Sequence, residues 1–251
     1  MIKFFRHIRQ SLIMENKTGK YFKYAIGEII LVVIGILIAL QINNWNEGRK
    51  NSYMLGQYTN NLIEDLRKDS LDLSQRIKGI KADSMLLSSF EKRVSNSTKP
   101  LDTILKIARY DYGYYIWIKG DYNNDTYEVL NSTGDIGLFS SDIINDLNAL
   151  HNLQESALDA NAHTLESYLA NIHTYAQKYP VPFQSNLIAN GTIAADIIWE
   201  QISTRDHATE FNALVLAKGD SYRLSLRVLP IVLEKTNTLL AKFRKMQVQN
   251  D

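Results

Sequence analysis

The chain has 251 residues, of which 45% are hydrophobic and 22% charged, the proportions of an ordinary folded protein rather than a disordered one. Its 28 Lys and Arg residues nearly balance 27 Asp and Glu, giving a formal net charge of +1, so no field of one sign points to nucleic acid or another polyanion. There is no cysteine, which excludes disulfides, thiolate zinc sites, iron–sulfur ligation and cysteine nucleophiles together, without fixing the compartment.

Residues 1–23 read as a basic cytoplasmic tail, with Lys3, Arg6, Arg9, Lys17, Lys20 and Lys23 against a single acid, Glu15. Phe4, Phe5, Ile8, Leu12 and Ile13 recur among these at helical spacing. Two readings stay open: a short amphipathic helix on an anionic leaflet, or a solvated tail that sets topology.

Residues 24–45 read as a membrane-spanning helix. From Ala25 to Ile42 the chain is apolar except for Glu28 and Gln41, and 18 residues at 1.5 Å each give roughly 27 Å, close to the hydrocarbon thickness. Tyr21, Phe22 and Tyr24 flank one end and Trp45 the other, as in an interfacial aromatic belt. The 12 Ile, Leu and Val residues between Ile26 and Ile42 favour insertion by roughly 4 to 7 kcal/mol, against at most about 3 for a central Glu28. The excess of cations before the span predicts an N-terminus in the cytoplasm and export of everything after Trp45. The long basic region and the absence of an A-x-A site favour an uncleaved signal anchor over a cleaved signal peptide. Glu28 lies about one turn inside, where snorkelling, pairing with Lys20, Lys23 or a partner helix, and proton coupling are the readings considered. Gly35 and Ala39 form a small-xxx-small pair that permits close helix packing.

Residues 46–251 read as a periplasmic helical domain. Leu55, Tyr58, Leu62, Leu66, Leu73, Ile77, Ile80 and Leu87 recur every three or four residues, with Asp69 and Ser84 filling two turns, so Asn51 to about Val94 is expected as one amphipathic helix continuing the membrane helix. After a break at Ser95–Pro100, Asp102 is expected to cap a short helix over Ile104–Tyr110. Seven aromatics follow (Tyr110, Tyr112, Tyr114, Tyr115, Trp117, Tyr122 and Tyr127), interleaved with Gly113, Gly120 and an Asn/Asp cluster. They suit either a plug closing the end of a bundle or a glycan-type ligand site, since rings stack on sugar faces while amides and carboxylates take the hydroxyls. The candidate ligand residues are Tyr112, Tyr114, Tyr115, Trp117 and Tyr122.

The run YAIGEIILVVIGILIALQINNWNE over Tyr24–Glu47, with the tail before it, resembles the N-terminus of DUF6090, a family of uncharacterised single-pass membrane proteins of Bacteroidetes. DTYEVLNSTGDIGL over Asp125–Leu138 is similar to a turn of that family, with Thr133 where a second Ser is usual. The resemblance implies a Gram-negative inner membrane with the domain in the periplasm, and brings no catalytic residue.

Gly134 is expected to stop a helical turn over Tyr127–Asn131, and Ser140 or Ser141 to cap the next helix. That helix should turn Ile144, Leu147, Leu150, Ala157, Leu158, Leu165, Tyr168, Leu169, Ile172 and Ala176 to the core and end before Pro180-Val181-Pro182. His151, Glu155, Asp159, His163, Glu166 and His173 line its other face, but no H-E-x-x-H or paired E-x-x-H motif accompanies them, so no metal is expected. A short helix near Ile193–Ile202 precedes a last long one, marked by Phe211, Leu214, Tyr222, Leu226, Leu229, Leu233, Leu240 and Phe243 and expected to kink at Pro230.

The fold expected is mainly α: one N-terminal transmembrane helix continuing into an antiparallel bundle of long helices with short connecting helices. Without a G-x-S-x-G elbow, Walker loop, Rossmann glycine fingerprint or zincin helix, no enzyme and no cofactor is expected. The leading expectation is a membrane-anchored interaction or scaffold module whose partners are the lipid bilayer and a protein or a second copy, with no nucleic acid. The alternative is a ligand-sensing or envelope-binding domain using residues 110–127.

Overall fold

A computed structural model describes residues 18–182, 187–189 and 191–250; the tail's expected helical pattern over Phe4–Ile13 lies outside them. Among the described residues the chain is mainly helical, with six α-helices and no strand. These are α1 (Thr18–Ser95), α2 (Pro100–Lys106), α3 (Asp125–Thr133), α4 (Ser141–Ala176), α5 (Ile193–Gln201) and α6 (Thr204–Asn250). The chain divides into two compact units, Met1–Gln57 and Tyr58–Asp251.

In the first unit, α1 is one unbroken helix in which every Ile, Leu and Val from Ile26 to Ile42 is exposed. Among the described residues this is the one helix long and apolar enough to cross a membrane, which is compatible with a single-pass anchor. At its polar end the Arg49 guanidinium lies 5.5 Å from the centre of the Trp45 ring, and Asn43 donates to Glu47 at 2.9 Å. A Cβ on Gly35 meets nothing within 4 Å and Ala39 is exposed, so the small pair is open to a neighbour. Glu28 is half-buried beside Ala25, Ile29 and Val32.

In the second unit, the later turns of α1 bury Leu62, Leu66, Leu73, Ile77, Ile80 and Phe90. Side-chain contacts between α4 and α6 run in opposite order along the two helices: Asp146 with Lys242 at 2.7 Å, Asn161 with Ser225 at 3.1 Å, and Tyr175 with His207 at 2.7 Å. Those between α1 and α6 do the same, from Asn60–Gln247 at 2.8 Å through Ser70–Asn237 at 2.6 Å to Asp83–Tyr222 at 2.6 Å.

Several local expectations need correction. The short helix begins at Pro100 rather than Ile104, because proline's fixed φ and missing N–H suit the first helical turn; Asp102 lies in that first turn instead of capping it. It then widens into a π-helical turn, Ile107–Asp111, closed by the Tyr112 amide on the Ile107 carbonyl at 2.9 Å. Ser140 occupies the N-cap of α4 with extended backbone, yet its hydroxyl makes no capping bond. On α4 Leu147, Leu150, Ala157, Tyr168 and Ile172 are buried as expected, but Leu169 and Ala176 are exposed, and Ile143, Gln154, Asn161 and Tyr175 join the buried face. Gln154 and Asn161 have polar partners inside, Asp69 and Ser225, so amides replace apolar residues on the core face. Gly134 does end α3 in the left-handed conformation, at φ 79°. Helix α6 runs through Pro230 without ending.

Candidate functional site

Within the second unit, the stretch between the π-turn and α3, residues 112–124, has no regular secondary structure. A non-helical stretch of chain must satisfy its amides and carbonyls elsewhere, and here two charge clusters, one buried and one partly buried, take that part.

The first cluster joins α1 to α6. Lys218 is fully buried; its ammonium meets the Asp83 carboxylate at 2.6 Å and donates to the Gly113 carbonyl at 2.6 Å. Tyr222 donates to the same carboxylate at 2.6 Å and accepts from the Trp117 amide at 3.2 Å. The rings of Tyr112 and Tyr115 lie about the ammonium, 4.9 and 5.0 Å from it. Burial pushes the Lys218 pKa down, and the hydrogen bond and charge of Asp83 oppose that shift.

The second cluster lies two heptads earlier on α1. Asp69, almost wholly buried, accepts from the Asn123 amide at 3.1 Å, the Asn123 side chain at 2.8 Å and Gln154 at 3.3 Å. Lys119 reaches Asp72 at 2.8 Å and Asp69 at 3.7 Å while lying 4.7 Å from the centre of the Tyr122 ring. Arg76 pairs with Asp72 and donates to the Ile118 carbonyl. Burial raises the Asp69 pKa, with Asn123 and Lys119 opposing; at Asp72 burial also acts upward, but hydrogen bonds from Arg76 and Lys119 outweigh it and the pKa falls. Together the clusters tie residues 113–123 down across α1 and α6.

The five aromatics singled out from the sequence therefore part company. Tyr112 and Tyr114 are buried in the core with Tyr168, Tyr175, Trp199 and Phe211; the Tyr112 and Tyr168 hydroxyls are 3.1 Å apart, and Tyr168 donates to the Tyr114 carbonyl at 2.9 Å. Burial drives the pKa values of both phenols up, so both stay neutral. Tyr122 is buried as well. Tyr115 is 60% exposed, and Trp117 lies half-open with its ring against Gly79, where a Cβ would stand 2.8 Å from ring carbons. On α4, the His151 ring lies 4.5 Å from that of Tyr127, while Glu155, Asp159, His163, Glu166 and His173 are exposed. Among the described residues no three His, Asp or Glu side chains converge into a set able to hold a metal ion.

The sequence reading missed Asp83, Lys218 and His207. Asp83 and Lys218 carry a usable signal, since each is a charge at a helical step from inward apolar neighbours, Ile80 and Leu214. His207 is fully buried among Tyr175, Tyr179, Trp199 and Phe211, with Nε2 2.7 Å from the Tyr175 hydroxyl and Nδ1 without a hydrogen-bond partner among the described residues. Burial pushes its pKa down to about 4, against the opposing charge of Glu210.

Chemically, the arrangement holds a loop: Asp83 with Lys218 and Asp69 with Lys119 face one another inside, Asp72 and Arg76 are about one-third exposed, and of the five aromatics Tyr115 and Trp117 are the accessible ones. No curated protein and no solved structure matches the chain. Residues 28–104, which span the apolar segment, the later turns of α1 and the start of α2, match the sequence model of a family described as a family of unknown function, DUF6090.

Proposed function

We propose that this is a non-enzymatic, membrane-anchored interaction module: α1 crosses the inner membrane once with the N-terminus in the cytoplasm, and the second unit stands in the periplasm as an antiparallel helical bundle that binds a protein partner or a second copy. The observation that carries this reading is the uncovered apolar run from Ile26 to Ile42, on the same helix whose later turns supply part of the core of the second unit. The opposed order of the α1–α6 and α4–α6 contacts supports the bundle. The cation excess before the span supports the orientation. The buried ionisable groups Asp69, Asp83, Lys119 and Lys218 are engaged in holding the 112–124 stretch, which supports a structural rather than a catalytic employment. The exposed Tyr115 and Trp117 keep a ligand-binding role for the 110–127 segment as the second reading.

The chain has no native cysteine, so single cysteines report topology directly. In intact cells a membrane-impermeant maleimide should label Ser156→Cys and spare Ser11→Cys until the inner membrane is opened. Labelling of Ser11→Cys alone would invert the assignment, and recovery of the chain in the soluble fraction would end it.

A further inference from the structure

Within the second unit, a cleft of about 660 Å³ opens between the last turns of α1 and the first half of α6, a volume in the range of small-molecule sites. Its floor is apolar, made by Leu87, Phe90 and Val94 of α1 and Phe211 and Val215 of α6. It faces away from the buried ionic clusters: α6 turns Lys218 and Tyr222 inward, and Leu216, Gly219 and Arg223 toward the cleft. Gly219 borders open space on this side, since a Cβ there meets nothing within 4 Å.

Length and charge narrow the occupant. The α1 wall from Ser84 to Ser95 runs about 16 Å at 1.5 Å per residue, close to half of a roughly 30 Å hydrocarbon core and so to one acyl chain. The two ends differ in sign. The Asp83–Tyr222 contact joins the two helices at the end of the cleft that Ser84 and Arg223 line, the Arg223 side chain being 76% exposed, while Glu91 and Ser95 line α1 farther along. Arg223 is bonded to Asp220 at 2.7 Å, an exposed pair of the kind that exchanges partners at little cost.

We infer that this cleft binds a single fatty-acyl chain, with its carboxylate at Arg223 and Ser84 and its methyl end toward Val94, Ile104 and Ala208. The site is separate from the 110–127 segment and does not rest on the interaction reading.

The test uses the full chain in lipid nanodiscs and a C16 fatty acid carrying a diazirine at its methyl end, with adducts mapped by mass spectrometry. Adducts are expected on peptides containing Val94, Ile104 and Ala208, competed by unlabelled palmitate. Gly219→Phe should fill the cleft and reduce them about tenfold, the factor corresponding to about 1.4 kcal/mol. Arg223→Glu, on an exposed side chain that leaves the fold alone, should reduce them about threefold and leave hexadecanol competition unchanged. Adducts at residues 25–42 report the bilayer and should persist in every variant. Labelling confined to that span, or cleft labelling indifferent to both substitutions, would overturn the proposal.

Discussion

Asp83→Ala removes the carboxylate from a pair whose side chains are 0% and 4% exposed, and leaves the Lys218 ammonium buried with the Gly113 carbonyl as its remaining close polar partner. Deserting a buried charge costs about 3–5 kcal/mol, and Tyr222 loses its acceptor in the same step. The surface pair Asp220–Arg223, with side chains 59% and 76% exposed, provides the contrast: Asp220→Ala should cost less than about 1 kcal/mol. Urea unfolding of the full chain, followed by helical circular dichroism, measures both. The double variant Asp83→Leu/Lys218→Met should recover the part of the loss that comes from the stranded ammonium, because an apolar pair replaces a buried ion pair at little cost, while Tyr222 stays without its acceptor. Limited proteolysis adds a local readout, with cleavage near Gly113–Trp117 appearing in Asp83→Ala and receding in the double variant. The reasoning is refuted if Asp83→Ala costs no more than Asp220→Ala, or if the double variant is as unstable as the single one.

Other substitutions and conditions separate the remaining forces. His207 falls from an ordinary pKa of 6.5 to about 4 in the fold, so the unfolded chain binds the extra proton between those values and stability falls as pH drops through that window, by about 3 kcal/mol in all. His207→Phe should flatten the part of the urea-midpoint slope between pH 4 and 6.5 that this residue supplies; an unchanged slope would count against it. Gly79→Ala should lower stability by about 1–2 kcal/mol despite alanine's better helix propensity, because the added Cβ meets the Trp117 ring at 2.8 Å; a rise in Tm would contradict that packing. Gly134→Ala, at φ 79°, should cost about 1 kcal/mol by the same melt, whereas Gly137→Ala, with ordinary backbone and nothing within 4 Å, should be near neutral.

The apolar run, the long amphipathic helices and the glycine stop after α3 were legible because each is a local pattern: a length, a period or a conformation only glycine adopts easily. The polar core was not. Asp69 looked like a gap in a stripe, yet it accepts from Asn123 and Gln154, residues 54 and 85 positions away. No periodicity encodes such a partner. Lys218 and Asp83 were hidden for the same reason, being 135 positions apart and stable inside only as a pair. Leu169 and Tyr175 show the limit on one helix: both fit an inward stripe within a turn of tolerance, and the Tyr175–His207 contact decides between them. For the aromatic segment, composition revealed that the rings cluster but not which of them face water. Tyr112 and Tyr115 differ by three positions and by 5% against 60% exposure.

Site-specific photo-cross-linking of the full-length chain in living cells tests the interaction reading most directly, with probes at exposed positions such as Met85, Tyr110, Tyr115, Ile197 and Ile231. The account expects a reproducible protein adduct, to one partner or to a second copy, from at least one face and not from a buried control at Leu73. Adducts to glycan or lipid alone, or none at any position, would contradict it and shift the function to ligand binding by the 110–127 segment.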